Sequence, residues 1–139
     1  KLCNVHGGNH PELFEIKEQF DAASGELAAH MKKEELILFP YVYRMVEAIN
    51  TGVDMNAAPF GTVKNPIAMM MNEHEVEGDR FSKISSLSNN YTPPADGCTT
   101  YRVAFALLKE FEEDLHKHIH LENNILFPKA LEMEKKIIS

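Results

Sequence analysis

The sequence has no tryptophan, two cysteines and no long apolar run. Cys3 and Cys98 do not form a C-x-x-C pair, so neither a disulfide framework nor a thiolate zinc site is indicated, and we expect buried or incidental thiols. Sparse cysteine is consistent with a cytoplasmic protein, which is our expectation for its location. A run of about 20 apolar residues, which a membrane span requires, is absent, and no signal peptide is visible.

Positive charge is also scarce. Lys and Arg together number 14 against 21 Asp and Glu, which gives a net charge of -7. An acidic surface disfavours nucleic acids and anionic membranes as partners, and we expect neither. The 139 residues are predicted to form one domain, 1–139. Because the chain begins at Lys1 rather than Met, we expect it to be a piece of a longer protein.

Strand signals are nearly absent, and the chain is predicted to be all-α. Proline and glycine positions predict where helices begin, bend and end. Three long helices are expected, from Asn9 or Pro11 to about Phe39, from Pro66 to near Ser88, and from Cys98 or Thr99 to Phe127. Pro40 and Pro128 should kink or interrupt the first and third, each followed by a short helix, the first of them carrying 41–50. Thr51–Asn65 and Asn89–Gly97 are expected to be a loop and a turn.

An up-and-down bundle normally closes with four helices. The stretch before the first long helix is too short to supply the fourth, so we expect that helix to lie upstream of Lys1. Unpaired apolar faces on the three helices would favour self-association, for example as a homodimer.

Seven histidines are many for a domain of this size, and two of them open a repeat. Residues 30–40 (HMKKEELILFP) and 118–128 (HIHLENNILFP) share the pattern His-x-x-x-Glu-x-x-Ile-Leu-Phe-Pro without a gap. One His-x-x-x-Glu pair is weak evidence, because Glu is common in this chain. Four further matches in register indicate a true repeat.

The histidines and glutamates of the repeat lie on the apolar seam of their helices. Two eight-residue series have the same 3-4 spacing: Leu13, Ile16, Phe20, Ala23, Leu27, His30, Glu34, Ile37 and Tyr101, Ala104, Leu108, Phe111, Leu115, His118, Glu122, Ile125. Ile67, Met70, His74, Phe81 and Ile84 are similarly spaced on the second long helix. The spacing predicts a buried face, so His and Glu would emerge one turn apart on the core side.

Burying imidazoles and carboxylates on an apolar face is costly unless they are paired or bind a metal. A plain buried His–Glu hydrogen bond is the better interpretation of one such pair in isolation. Two pairs in a repeat, together with His74, favour a shared metal site. A bundle without metal is the remaining alternative.

Other histidines and acidic residues are weaker candidates. His116 and His120 have the i, i+4 spacing of a zinc pair but fall off the seam, which predicts a solvated face. Glu73, Glu75 and Glu77 flank His74. Glu77 lies near the seam, so contact with the site is one interpretation of it, but a surface charge run is our default interpretation. His74-Glu75 begins like the zinc-protease motif H-E-x-x-H, yet Gly78 stands at the fifth position and the motif fails.

Imidazole and carboxylate without thiolate suits iron or manganese better than structural zinc. Two carboxylates on two helices can bridge two metals, as in carboxylate-bridged bundle sites. The order His-x-x-x-Glu differs from the Glu-x-x-His of ferritin-type sites. A histidine-rich set carries less negative charge, which favours reversible chemistry with small ligands.

The paired H-x-x-x-E-x-x-I-L-F-P, the N-E-H-E of 72–75 and the T-P-P-x-x-x-C-T-T of 92–100 resemble the iron–sulfur cluster repair di-iron proteins, or repair-of-iron-centres family. The resemblance covers essentially the whole chain. It implies a haemerythrin-like antiparallel four-helix bundle, with its first helix missing from this chain. It also implies two non-haem iron ions, oxo- or hydroxo-bridged, held by five His and two bridging Glu.

Carried over by position, the resemblance implies which residues bind the irons. Glu34 and Glu122 match the bridging carboxylates. The matching histidines are His30, His74, His118 and, in the Val5-His6 segment, His6, with His10 as the fallback for His6. One further histidine would lie on the missing first helix, so six of seven ligands are present.

The function that the resemblance implies is repair of iron–sulfur clusters damaged by nitric oxide or oxidative stress. Iron donation to client iron–sulfur proteins and reduction of nitric oxide at the irons are both open, so whether the protein is an enzyme is also open. The alternative is a haemerythrin-like module that binds or senses oxygen or nitric oxide without turnover.

Overall fold

The computed structural model describes residues 1–55, 58 and 60–138. It is all-α, as predicted. Residues 56, 57 and 59 of the predicted loop lie outside the described residues, as does Ser139. The helices are α1 (Leu2–His6), α2 (Glu12–Lys33), π1 (Glu34–Leu38), α3 (Phe39–Thr51), α4 (Lys64–Leu87), α5 (Thr99–Leu121), π2 (Glu122–Leu126) and α6 (Phe127–Ile138). None of the described helices is long and apolar enough to cross a membrane.

The helix ends follow the local sequence. Glu12 and Glu15 lie in the first turn of α2, where negative charge interacts favourably with the helix dipole. Gly52 ends α3 in the left-handed conformation, with φ of 71°, and its N–H donates to the carbonyl of Ala48. The predicted turn after α4 is confirmed by positive φ angles at Asn89, Asn90 and Tyr91.

Of the two outcomes predicted for Pro40, a kink or an interruption, the interruption does not occur. The chain passes from α2 through π1 into α3, and the third run does the same at Pro128 through π2 into α6. A π turn holds one residue more than an α turn, so the residues after it are displaced around the helix axis. Proline therefore widens a turn here instead of ending the helix.

This extra residue also corrects the predicted seam. Ile37 was expected on the buried face, but it is 45% exposed and Leu38 is completely buried instead. In the second copy of the repeat Ile125 is 45% exposed, whereas Phe127 is 1% exposed. The 3-4 spacing used for the prediction assumes an unbroken α-helix, and the π turns shift the register of everything that follows.

The chain divides into two compact units. The first comprises Lys1–Glu26 and Val76–Lys117, and the second Leu27–Glu75 and His118–Ser139. Each has a core of its own. The first core consists of Leu13, Ile16, Ala23, Phe81, Ile84, Tyr91, Tyr101 and Phe105. The second consists of Leu38, Tyr41, Met45, Ala58, Val63, Ile67, Met70, Phe127 and Ala130.

Candidate metal centre

Four of the predicted ligands come together in the second unit. His30 lies near the end of α2, Glu34 and Glu122 begin π1 and π2, and His74 lies in the middle of α4. All four are between 5% and 8% exposed. We call His30, Glu34, His74 and Glu122 the acceptor cluster. One ligand atom from each lies within 4.8 Å of the others, the only such group among the described residues.

The two imidazoles meet at the centre of the acceptor cluster. Nε2 of His30 lies 3.2 Å from Nε2 of His74. The same His30 atom is 2.7 Å from Oε1 of Glu34, and Nε2 of His74 is 3.6 Å from Oε1 of Glu122. Side chains from four positions in the chain therefore direct nitrogen and oxygen atoms at one small volume.

Hydrogen bonds at the outer edge of each ring orient the imidazoles. Nδ1 of His74 lies 2.8 Å from Oδ1 of Asn123, and Nδ1 of His30 lies 3.4 Å from Oε2 of Glu73. Lys33 in turn donates to Glu73 at 3.0 Å. When Nδ1–H donates outward, the Nε2 lone pair faces inward, which is how hydrogen-bond partners on the outer side of the ring orient metal-binding histidines.

With that tautomer on both rings, two imidazole lone pairs and two carboxylates converge with no donor between them. Oε2 of Glu122 is buried without a hydrogen-bond partner in the described residues. Buried polar atoms in folded proteins are nearly always satisfied, so this excess of acceptors calls for a cation or a shared proton. The donor set fits a metal ion that accepts nitrogen and oxygen ligands, such as iron.

The pKa shifts of His30, Glu34 and Glu122 are consistent with this excess of acceptors over donors when no cation is bound. Burial and the neighbouring Glu122 raise the pKa of Glu34, although its contact with His30 opposes the shift. Burial alone would lower the pKa of His30, but Glu34, Glu73 and Glu122 raise it overall. Burial likewise opposes ionisation of Glu122, yet its contacts with His74 and Glu34 lower the pKa of that carboxyl.

One side of the acceptor cluster is apolar and another opens to a cavity. The ring of Phe127 stacks on His74 with centroids 5.9 Å apart and an interplanar angle of 6°. A cavity of about 470 Å³ is lined by both polar and apolar groups, among them Asn72, His74, Ile119 and Asn123. A small molecule therefore has space beside the imidazole of His74, whose Nε2 is a candidate metal ligand.

Two predicted ligands lie elsewhere. His118 is exposed and does not join the acceptor cluster. His6 belongs to the first unit, where its Nε2 lies 3.2 Å from Sγ of Cys98 and its ring packs edge-on against Tyr101. The fallback His10 bonds Asp96 at 2.8 Å. The assignment of His6 and His118 as ligands stays a prediction.

The structure also shows the burial of the weaker candidates His116, His120 and Glu77. His116 and His120 are exposed, as the solvated-face interpretation predicted. The default interpretation of Glu77 as surface charge is wrong, since the residue is 3% exposed within the first unit. There Arg80 donates to Glu77 at 3.3 Å and to Glu26 at 2.8 Å. The helical pattern places Glu77 near the seam. Burial of its carboxyl is costly without a partner, and Arg80 supplies that partner.

Asn123, Glu73 and Lys33 were missed as partners of the site. Asn123 follows a candidate ligand directly and Glu73 precedes one, but adjacency in sequence does not reveal which side chains reach an imidazole. The hydrogen bonds that join Asn123 to His74 and Glu73 to His30 link residues 49 and 43 positions apart, so only the packing of helices identifies them.

Comparisons with known proteins identify the family of the chain. A model of the Hemerythrin HHE cation binding domain matches residues 2–130. The chain is 45% identical over 134 residues to the iron-sulfur cluster repair protein YtfE of Musicola paradisiaca, covering 96% of this chain and 54% of that protein. It is 38% identical over 131 residues to a probable iron-sulfur cluster repair protein of Haemophilus influenzae, covering 94% and 53%. The chain spans about half the length of these relatives.

Proposed function

Because the chain belongs to the haemerythrin HHE cation-binding domain family, we propose that its acceptor cluster binds iron as part of a di-iron centre used in the repair of iron–sulfur clusters. The observation that carries this proposal is the convergence of four buried acceptors with no matching donor. The similarity to proteins named for iron–sulfur cluster repair supports the biological role.

Each ligand has a distinct role in this proposal. Glu34 and Glu122 begin equivalent turns of the repeat and would hold the metals as the two carboxylate ligands, while His30 and His74 would bind through Nε2. His6 and His118 are proposed as further ligands from the family resemblance alone. The whole chain, 1–139, then acts as one haemerythrin-like domain.

In this proposal the residues of the chain bind the metal and orient the imidazoles that act as its ligands. When bound, two irons would supply one-electron chemistry towards nitric oxide, or iron for transfer to a damaged client protein. Asn123 and Glu73 hold the imidazoles in the tautomer that offers Nε2 to a metal. Burial and the neighbouring Glu122 raise the pKa of Glu34, so that two buried carboxylates are not readily charged together in the absence of a cation.

Elemental analysis of the purified protein, together with its optical spectrum, tests the proposal. The wild type should contain about two irons per chain and show near-ultraviolet charge-transfer bands, whereas Glu34→Ala and Glu122→Ala should each lower the iron content because a buried anionic ligand is lost. His116→Ala is the matched control, since it removes an exposed histidine and should leave the iron content unchanged. Full iron content in both glutamate variants would show that the cluster is not the metal site.

A cavity lies beside His74, and a second candidate function that would use this space is the reversible binding of oxygen or nitric oxide without turnover. The reduced protein can be exposed to nitric oxide and the gas phase assayed for nitrous oxide. Formation of nitrous oxide supports turnover. A stable and reversible spectral change without nitrous oxide supports binding or sensing.

A further inference from the structure

Both candidate bridging carboxylates stand at the first residue of a π turn. π1 begins at Glu34 and π2 at Glu122. In each, the backbone N–H that bonds the glutamate carbonyl comes from five residues ahead, from Phe39 and Phe127 respectively. An α-helix would make this bond from four residues ahead. Within the described ranges no other segment is a π-helix, so the two irregular turns coincide with the two glutamates of the acceptor cluster.

Proline explains why the turns are wide. Pro40 has no N–H to donate to the carbonyl four residues back, that of Leu36, and its ring would clash with that oxygen in an α turn. Pro128 stands in the same relation to Asn124. A helix can stop at such a point or take in one extra residue, and this chain does the latter twice.

The extra residue matters for what each turn directs inward. Glu34 and Leu38 are both buried, four residues apart across π1, while Ile37 is 45% exposed. In a continuous α-helix one residue corresponds to a rotation of about 100°. Across π2, Glu122 and Phe127 are five residues apart and both buried, although five residues of α-helix correspond to about 140° around the axis, so an α turn would direct either Phe127 out of the core or Glu122 away from His74. The first copy of the repeat has the same wide turn at the same position, because Phe39 bonds Glu34 as Phe127 bonds Glu122.

From this geometry we propose that Pro40 and Pro128 are positioning residues for the metal site. Each fixes the π turn that directs its glutamate into the acceptor cluster while the following apolar residue stays in the core. Neither proline binds the metal itself. This inference rests on the proposed function, because it concerns how that site is aligned.

Co²⁺ is a suitable probe, because its visible absorption reports ligand geometry directly. Titration of metal-free wild type, Pro40→Ala, Pro128→Ala and the double variant with Co²⁺ should show about 10–100-fold weaker binding in each single variant, the loss typical when an outer support of a metal ligand is removed. The absorption bands of the bound Co²⁺ should also change. The melting temperature of the metal-free single variants should not fall, since alanine has a higher helix propensity than proline.

Pro66→Ala is the matched control, because Pro66 lies in the first turn of α4, where a missing N–H has no helical partner to lose. It should leave both affinity and spectrum unchanged. Hydrogen exchange of the new backbone amide in Pro40→Ala and in Pro128→Ala adds a readout independent of metal: protection shows that this N–H has found a carbonyl in a relaxed turn. If the double variant does not fold, the Co²⁺ affinities and spectra of the two single variants still test the proposal, since each keeps one proline.

The outcomes separate this inference from the proposed function. If the proline variants bind Co²⁺ with wild-type affinity and spectrum while Glu122→Ala does not bind it, the positioning role is wrong and the site stands. If wild type itself fails to bind Co²⁺, or Glu122→Ala binds it as wild type does, the proposed site fails and the inference fails with it.

Discussion

Glu122 and Glu134 are buried carboxylates only twelve residues apart, yet their surroundings differ completely. Glu134 accepts hydrogen bonds from the hydroxyl of Tyr41 at 3.1 Å, from the hydroxyl of Thr62 and from the N–H of Val63 at 2.7 Å. Glu122 faces other acceptors and has one oxygen with no partner among the residues described. Burial is therefore no guide to function; the balance of donors and acceptors is.

This difference in hydrogen-bond partners indicates a structural role for Glu134 and a ligand-binding role for Glu122. Glu134 joins α6 to the segment before α4, and its negative charge lies at the N-terminus of that helix, where it is favoured. Among the described residues the acceptor cluster has no such donors, and we expect it to lower stability until a cation or proton enters. Four predictions test this contrast, from the largest expected effect to the smallest.

The largest effect should come from adding metal. Ferrous iron supplied anaerobically at about a thousand times its dissociation constant should stabilise the wild-type fold by about 4 kcal/mol, because it binds only the folded state. Glu34→Gln should lose this gain and, in the metal-free form, should melt above wild type, since the amide N–H₂ adds a donor to the cluster and burial raises the pKa of the Glu34 carboxyl. Thermal melts with and without iron measure both effects, and a metal-free Glu34→Gln less stable than wild type would contradict the donor deficit.

Replacing the satisfied carboxylate should have the opposite signature. Glu134→Ala should destabilise the fold by about 3 kcal/mol, because Val63 N–H and Tyr41 OH lose their buried partner. Iron content per folded chain should be unchanged. Urea denaturation measures the loss, with Glu132→Ala as control, since that side chain is 69% exposed. Equal losses in the two variants would remove the contrast between Glu134 and its exposed neighbour.

A smaller effect should separate two adjacent asparagines. Asn123→Leu should weaken metal binding about 10–100-fold, because the Nδ1 partner of His74 is lost. Asn124→Leu should have no such effect, since Asn124 bonds the exposed His120. Competition with a chromogenic chelator measures both affinities. Equal affinities would show that the orientation of His74 does not depend on this hydrogen bond.

The smallest effect concerns Glu77 in the first unit. Burial, with the neighbouring Glu26, raises its pKa to about 7, although Arg80 opposes the shift. The folded state therefore holds a proton that the unfolded state releases near the ordinary value of 4.5, so this group's contribution to stability falls as pH rises from about 4.5 through 7. Glu77→Gln should remove that part of the pH dependence, whereas the exposed Glu75→Gln should not. Urea midpoints at pH 5, 6, 7 and 8 measure the slope, and parallel profiles for wild type and Glu77→Gln would contradict the shift.

The contrast between the carboxylates also marks how far sequence reasoning reached. The repeat identified both glutamates of the acceptor cluster and one of its histidines, because matching spacing on an apolar seam is a local property of the chain. His74 followed from its position on the second seam. No local sequence pattern distinguishes Glu134, since its three hydrogen-bond donors lie 71 to 93 residues away in the chain.

Two of the errors within the helices have the same physical origin. Periodicity of 3.6 residues per turn placed Ile37 and Ile125 in the core, but the π turn that precedes each proline contains an extra residue. The sequence contained the signal, since both prolines were recognised. A proline in a helix has several possible consequences, and the packing of Leu38 and Phe127 decides among them.

The amino-acid sequence by itself determined that the chain is helical, where most helices begin and end, and that His and Glu recur on buried faces. These features depend on residues within a few turns of one another. Only the tertiary structure decided which of the predicted ligands converge, which outer partners orient them, and that Glu77 is buried beside Arg80. Convergence depends on which helix faces meet, and that is set by packing between residues far apart in the chain.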